Sequence, residues 1–65
     1  MTLINRMKSE ARSNLNEYLD DSRCFNCTGL AEHFIFEDEP EDEEPYFDDA
    51  VTVGTWAEKE FKLNK

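Results

Sequence analysis

The stretch AEHFIFE (residues 31–37) decides the fold class, because its pattern fits either a strand or a helix. As a strand, it places Phe34 and Phe36 on one face, since successive side chains alternate across a strand. Phenylalanine and isoleucine are also enriched in strands. The alternative is a short helix capped by Thr28, a residue type that favours helix N-caps. We favour the strand, and with it a mixed α+β fold.

Upstream of this stretch, the sequence predicts an amphipathic helix over residues 2–20. Apolar residues recur there at helical spacing, whereas charged residues fall largely on the other faces. Thr2 or Asn5 can cap its start, and a polar run from Asp20 ends it. Residues 24–29 then form a connector. The apolar positions of the helix are Leu3, Ile4, Met7, Ala11, Leu15, Tyr18 and Leu19.

Downstream, AVTV (residues 50–53) predicts a second strand, which Gly54 ends. The next four residues, TWAE, match a capping box and predict a short C-terminal helix over residues 56–64. A strand is the competing interpretation, because apolar and charged residues alternate near the C-terminus. The expected fold is a single small α+β domain over residues 1–65. In it, the N-terminal amphipathic helix packs on a two- or three-stranded antiparallel sheet.

Negative charge is concentrated between the two predicted strands. The run EDEPEDEEPYFDD (residues 37–49) holds nine of the sixteen acidic residues, and the other seven are balanced by seven Lys and Arg. The net charge of −9 therefore lies in this run alone. Pro40 and Pro45 exclude a regular helix through it, which predicts an exposed loop or sheet edge. Direct binding to nucleic acid or to an anionic membrane is disfavoured, because both need positive surface.

An extended acidic run can imitate a track of phosphates. Residues two apart in an extended chain project on the same side, roughly 6.6–6.8 Å apart. Glu37, Glu39, Glu41 and Glu43 would form such a row, at a spacing of the same order as that of successive phosphates. A solvated loop that only maintains solubility is the simpler interpretation. The predicted partner-binding residues are Glu37, Asp38, Glu39, Glu41, Asp42, Glu43, Glu44, Asp48 and Asp49.

These features predict a small acidic protein that binds and blocks a basic surface of a partner protein. The expected partner surface is one that normally holds nucleic acid, because its Arg and Lys would pair with carboxylates instead of phosphates. In size and acidity the chain resembles the DNA-mimic inhibitors that phages and mobile elements make against host defence or repair proteins. The N-terminus lacks the apolar core of a signal peptide, so we expect a cytoplasmic protein.

Three residues form a second, weaker pattern, which we call the Cys/His set: Cys24, Cys27 and His33. Zinc is usually held by four ligands, so a neighbouring carboxylate or a second chain would have to complete a site. A redox pair is also possible in principle, but the strand and helix of a thioredoxin-like motif are missing. The simpler interpretation is two reduced cysteines and an ordinary histidine, with no cofactor. A small zinc-binding or Cys-dependent interaction domain is the alternative function.

Two further functional classes are an enzyme and an accessory subunit. An enzyme is not expected, because there is no glycine-rich phosphate loop and no pocket that could give two carboxylates different pKa values. An accessory subunit is the remaining hypothesis. Its N-terminal helix would dock in a partner's groove through Leu3, Met7, Leu15 and Tyr18.

Overall fold

The protein folds into a bundle of three α-helices. A computed structural model describes residues 2–22 and 24–63. Within them, extended pairing is confined to one antiparallel bridge between Leu19 and Phe25. The predicted α+β fold is therefore wrong, and the described fold is all-α. Its elements are α1 (Leu3–Ser13), a 3₁₀-helix η1 (Leu15–Tyr18), α2 (Cys27–Asp38) and α3 (Glu44–Glu60).

Contacts between side chains give the direction of each helix. Near one end of the bundle, Arg6 of α1 bonds to Asp38 of α2, which also bonds to Tyr46 of α3. Toward the other end, the start of α2 lies beside the later half of α3, where Cys27 meets Gly54. Helices α1 and α3 therefore run in the same direction, and α2 runs opposite to both.

The N-terminal helix begins where the sequence predicts and ends earlier. The Thr2 side chain accepts a hydrogen bond from the Asn5 amide at 3.2 Å, which confirms Thr2 as the cap. The helix ends at Ser13, not at residue 20, because Asn14 leaves the helical backbone region with φ −130° and ψ 41°. Asparagine competes with helical hydrogen bonding through its side chain, and here that side chain donates to Glu10 at 3.1 Å.

The predicted strand at residues 31–37 is wrong, because these residues lie inside α2. Asn26 caps this helix by accepting a hydrogen bond from the Gly29 amide at 2.9 Å, so Thr28 is not the cap. The helical repeat places Leu30 and Phe34 on one buried face, where they pack between the other two helices. The local strand preference of these residues is overridden by this burial.

Helix α3 replaces the predicted second strand and the predicted C-terminal helix. It covers residues 50–53, so the predicted strand there is wrong. Residues 56–60 are helical as predicted, but they belong to a helix that begins at Glu44, so the predicted start at residue 56 and its capping box are wrong. Pro45 stands in its first turn, where a missing amide donor costs nothing, and so the second proline starts a helix. The described helix ends at Glu60, while Asn64, the predicted last residue, lies outside the described residues.

Each segment contributes to one core. Its fully buried large side chains are Met7, Leu30 and Val53, one from each α-helix. Helix α1 therefore already uses its apolar face inside its own bundle, which weakens the hypothesis that it docks in a partner's groove. The buried apolar residues are Met7, Ala11, Tyr18, Phe25, Leu30, Ala31, Phe34, Ala50, Val53, Ala57 and Leu63.

Candidate functional site

The predicted partner-binding residues come together where α2 turns into α3. Two lie at the C-terminal end of α2, four in the connection after it, and three in the first half of α3. All are exposed except the half-buried Asp49. We call this surface the acidic corner, which consists of Glu37, Asp38, Glu39, Glu41, Asp42, Glu43, Glu44, Asp48 and Asp49.

The acidic corner does not contain the extended row that the sequence predicts. Glu37 belongs to a helix, whereas Glu39 has a left-handed backbone with φ 48° and ψ 56°. This residue caps α2, and its amide donates to the Ile35 carbonyl at 2.8 Å. The carboxylates are therefore distributed over a helix–turn–helix corner and do not follow the regular spacing of a strand. The phosphate-track spacing argument is wrong for this segment.

One carboxylate of the corner is held by other side chains. Asp38 accepts two hydrogen bonds from the Arg6 guanidinium, at 2.9 and 3.0 Å. It accepts a third from the Tyr46 hydroxyl at 2.8 Å. The bonds from Arg6 and then from Tyr46 lower the pKa of Asp38 below its ordinary value. Arg6 also lies 5.1 Å from the centre of the Phe34 ring, so this network ties the corner to the core.

The other eight carboxylates of the acidic corner have no ion-pair partner in the part of the chain that the structure describes. The contact given for Asp42 is local, because its side chain accepts a hydrogen bond from the Glu44 amide at 3.1 Å. Glu44 stands in the first turn of α3, where the helix dipole favours a negative charge. Most of this charge is therefore not neutralised by the described residues, and it faces solvent.

Aromatic side chains accompany the charge. Phe36 of α2 precedes the corner directly and is 83% exposed. Phe47 lies within it on α3 and is 37% exposed, next to the half-buried Tyr46. The sequence does place aromatics beside the charge, but only the helical fold shows which rings face solvent.

Apart from Arg6, two cations lie on a different part of the bundle. The Lys8 ammonium and the Arg12 guanidinium both stand over the Trp56 ring, 5.1 and 5.4 Å from its centre. Phe61 packs edge-on against the same indole, with 5.7 Å between ring centres. These cations pack on α3 a little over two turns beyond Asp48 and do not neutralise the acidic corner.

The Cys/His set is not assembled into a metal site. Among the described residues, no group of three or more His, Cys, Asp or Glu side chains is arranged to hold a metal ion. His33 packs against the rings of Tyr18 and Phe34, and its Nε2 atom lies 3.8 Å from the Glu10 carboxylate. Both cysteines are free thiols. Burial, with a smaller contribution from Glu58, raises the pKa of the Cys27 thiol and makes it a poorer nucleophile.

Comparisons with known proteins add no further assignment. No protein family, characterised protein or solved structure matches this chain. In residues 2–22 and 24–63, no helix combines the length and the apolar composition that a membrane crossing needs. The candidate site is a solvent-facing group of carboxylates, five on helices and four in the connection between them, with exposed rings beside it.

Proposed function

We propose that this protein binds a partner protein through the acidic corner and blocks a basic surface that the partner uses to hold nucleic acid. One observation supports the proposal above all: the entire net charge of −9 lies in the run that forms the corner, where one carboxylate alone has an ion-pair partner in the described part of the chain. An acidic loop that only keeps a protein soluble needs no fixed arrangement. Here five of the nine carboxylates stand on two helices that are joined by the hydrogen bond between Asp38 and Tyr46, and the other four lie in the short connection between them.

The chemistry of the corner fits this role. Exposed carboxylates form charge-assisted hydrogen bonds with Arg and Lys, and a concentrated negative surface speeds association with a positive one. Surfaces that bind nucleic acid carry Arg and Lys at high density, because they neutralise several phosphates at once. Because helices hold many of these carboxylates, less conformational entropy is lost on binding than with a flexible loop.

The proposal has corollaries for class and location. The protein acts by binding, without catalysis and without a cofactor, and it does not itself bind nucleic acid or membranes. The expected compartment is the cytoplasm, where nucleic-acid-binding partners are accessible to a small protein made there.

Capture of partners from a cell lysate tests the proposal. The immobilised protein should retain a basic partner at low salt and release it at high salt, because exposed charges are screened. The corner variant neutralises four carboxylates without shortening any side chain. It should associate more slowly, bind at least about tenfold more weakly and respond less to salt. Its substitutions are Glu37→Gln, Glu39→Gln, Glu41→Gln and Glu43→Gln.

A control variant with the same net charge separates the position of the charge from its amount. The control variant should bind the partner as tightly as the unmodified protein does. The partner's own nucleic acid should compete with the control variant and with the unmodified protein. Glu10 is left unchanged, because its carboxylate accepts hydrogen bonds from Tyr18 and Asn14. Equal binding by the corner and control variants would refute the proposal. The control substitutions are Glu17→Gln, Asp21→Asn, Glu32→Gln and Glu60→Gln, all at exposed positions.

A further inference from the structure

Three large apolar side chains are exposed in the part of the chain that the structure describes. Phe36 is 83% exposed, Val51 57% and Phe47 37%. Phe47 and Val51 are four residues apart on α3, so they are neighbours on one face of that helix. Phe36 belongs to α2, so the three side chains come from two helices. We call them the exposed apolar set. Neighbouring exposed apolar groups mark interaction surfaces, and Phe47 with Val51 form such a pair.

The two rings of the exposed apolar set flank or belong to the segment that forms the acidic corner. The hydrogen bond between Asp38 and Tyr46 joins the end of α2 to the start of α3. Phe36 lies two residues before the first of these and Phe47 one residue after the second. Both rings therefore belong to the same end of the bundle as the acidic corner. A partner that covers this end has to offer positive groups and apolar or aromatic groups together.

Surfaces that bind duplex DNA and surfaces that bind single strands differ in whether they combine basic groups with aromatic groups. Proteins that bind duplex DNA make half to two-thirds of their hydrogen bonds to phosphate and sugar, so their surfaces are mainly polar and basic. Proteins that bind single strands combine a basic groove with aromatic side chains on which successive bases stack. Exposed rings among carboxylates are complementary to the second kind. Against the first kind, both rings would face polar groups.

We propose that the surface covered by the acidic corner is a groove for single-stranded nucleic acid. The carboxylates pair with the Arg and Lys that otherwise bind phosphates, while Phe36 and Phe47 lie against the aromatic side chains on which bases stack. Aromatic pairs of this kind favour offset or edge-on contact, which an exposed helical ring can adopt without unfolding its neighbours. This inference rests on the proposed function and narrows the class of partner.

Ring substitutions on the captured partner test the inference. Phe36→Ala and Phe47→Ala should each weaken binding about tenfold, since removing one stacking ring costs a single-strand complex on the order of five- to hundredfold. Phe36→Leu and Phe47→Leu retain apolar volume but lose the aromatic ring. They should weaken binding almost as much as the alanine variants. Thermal unfolding of each variant shows whether the fold is intact.

Competition supplies a second, independent readout. Oligo(dT) should displace the protein from its partner at a concentration at least about tenfold lower than a duplex of the same length, because stacked bases are available only in the single strand. Better competition by the duplex would overturn the inference. So would leucine variants that bind as well as the unmodified protein, because the partner would then offer an apolar pocket without stacking rings.

The outcomes distinguish this inference from the proposed function. If the ring variants bind normally while the corner variant does not, the single-strand inference fails and the proposed function stands. If the corner variant binds as well as its control, or if no partner is retained at low salt, the proposed function fails and the inference fails with it. If the ring and corner variants both bind weakly and oligo(dT) is the better competitor, both proposals are supported.

Discussion

Replacing Gly54 with alanine should destabilise the protein, although alanine is the better helix former. Gly54 is buried in α3, where that helix approaches α2 closely. A methyl group built on its backbone would overlap the Cys27 sulfur and lie 3.3 Å from a ring carbon of Phe25. The chain therefore keeps glycine at this helix position because two helices meet there without room for a side chain.

Two opposing effects set the size of the change. Glycine to alanine in a helix interior gains about 1 kcal/mol from helix propensity. Inserting a methyl group into a packed contact costs about 1–3 kcal/mol, because side chains and backbone have to shift. With a packing cost of about 2 kcal/mol, Gly54→Ala should lower the free energy of unfolding by about 1 kcal/mol.

A double-mutant cycle isolates the contact between Gly54 and Cys27. In a Cys27→Ala background the overlapping sulfur is gone, and the nearest remaining atom is the Phe25 ring carbon. The alanine at position 54 should then be neutral or stabilising by up to about 1 kcal/mol. The coupling energy between the two substitutions is thus expected at about 1–2 kcal/mol, within the range for residues in contact. Urea denaturation followed by helical circular dichroism measures it.

Thr55→Ala is the matched control, because Thr55 lies on the same helix and is exposed. It should stabilise by a few tenths of a kcal/mol, on the order expected from helix propensity alone. If Gly54→Ala stabilises the protein as well, the close approach of α2 and α3 is refuted. If the effects of the Gly54 and Cys27 substitutions on the free energy of unfolding are additive, the cost of Gly54→Ala does not come from the contact with the Cys27 sulfur.

Three further predictions concern the core, the Asp38 network and metal. Met7→Ala should lower the free energy of unfolding, measured by urea denaturation, by about 2–5 kcal/mol, because Met7 is fully buried. Leu15→Ala should lower it clearly less, because Leu15 is half-buried. Equal losses would place Leu15 in the core. The lowered pKa of Asp38 contributes stability that is complete above the ordinary carboxyl pKa near 4 and is lost as pH falls through the lower folded value. Asp38→Asn should therefore be less stable than the unmodified protein at neutral pH, with a gap that narrows on acidification; a constant gap would contradict this. A chelator should leave thermal unfolding unchanged, whereas a stoichiometric zinc lost together with cooperative structure would restore the Cys/His set as a metal site.

The sequence predicts the first helix and its buried side well, because that signal is local. Thr2 provides a cap and the apolar repeat identifies Met7 and Ala11, both of which the structure buries. The end of the helix is missed, since the apolar repeat continues past Asn14 into a 3₁₀-helix. Asparagine has low helix propensity, so the break had a local signal that the periodicity outweighed.

The strand predictions fail because local preference and tertiary packing disagree. Residues 50–53 contain two valines and a threonine, which favour strands when considered alone. In the bundle, Ala50 and Val53 are one helical turn apart and both are buried. A sequence pattern of so few residues cannot distinguish a buried strand from a helix segment. Pro45 added to the error, since a proline that breaks one element can also begin the next.

For the candidate site, the sequence identifies the charges but not their arrangement. Every acidic residue can be read from the chain, and the aromatics beside them are visible. The pairing of Arg6 with Asp38 cannot be read, because it joins residues 32 positions apart. The exposure of Phe36 depends in turn on its being helical, since a strand would have placed it with Phe34.

The positions of Asp38 and Glu44 relative to their helix ends give them different electrostatic surroundings. At the C-terminal end of α2 the helix dipole opposes a negative charge, so Glu37 and Asp38 stand where they destabilise the helix. Arg6 offsets this by binding Asp38 with two hydrogen bonds. At the start of α3 the same dipole stabilises Glu44, and no cation is required there. The unneutralised charge on α3 is therefore compatible with folding, and it remains available to the Arg and Lys of a partner.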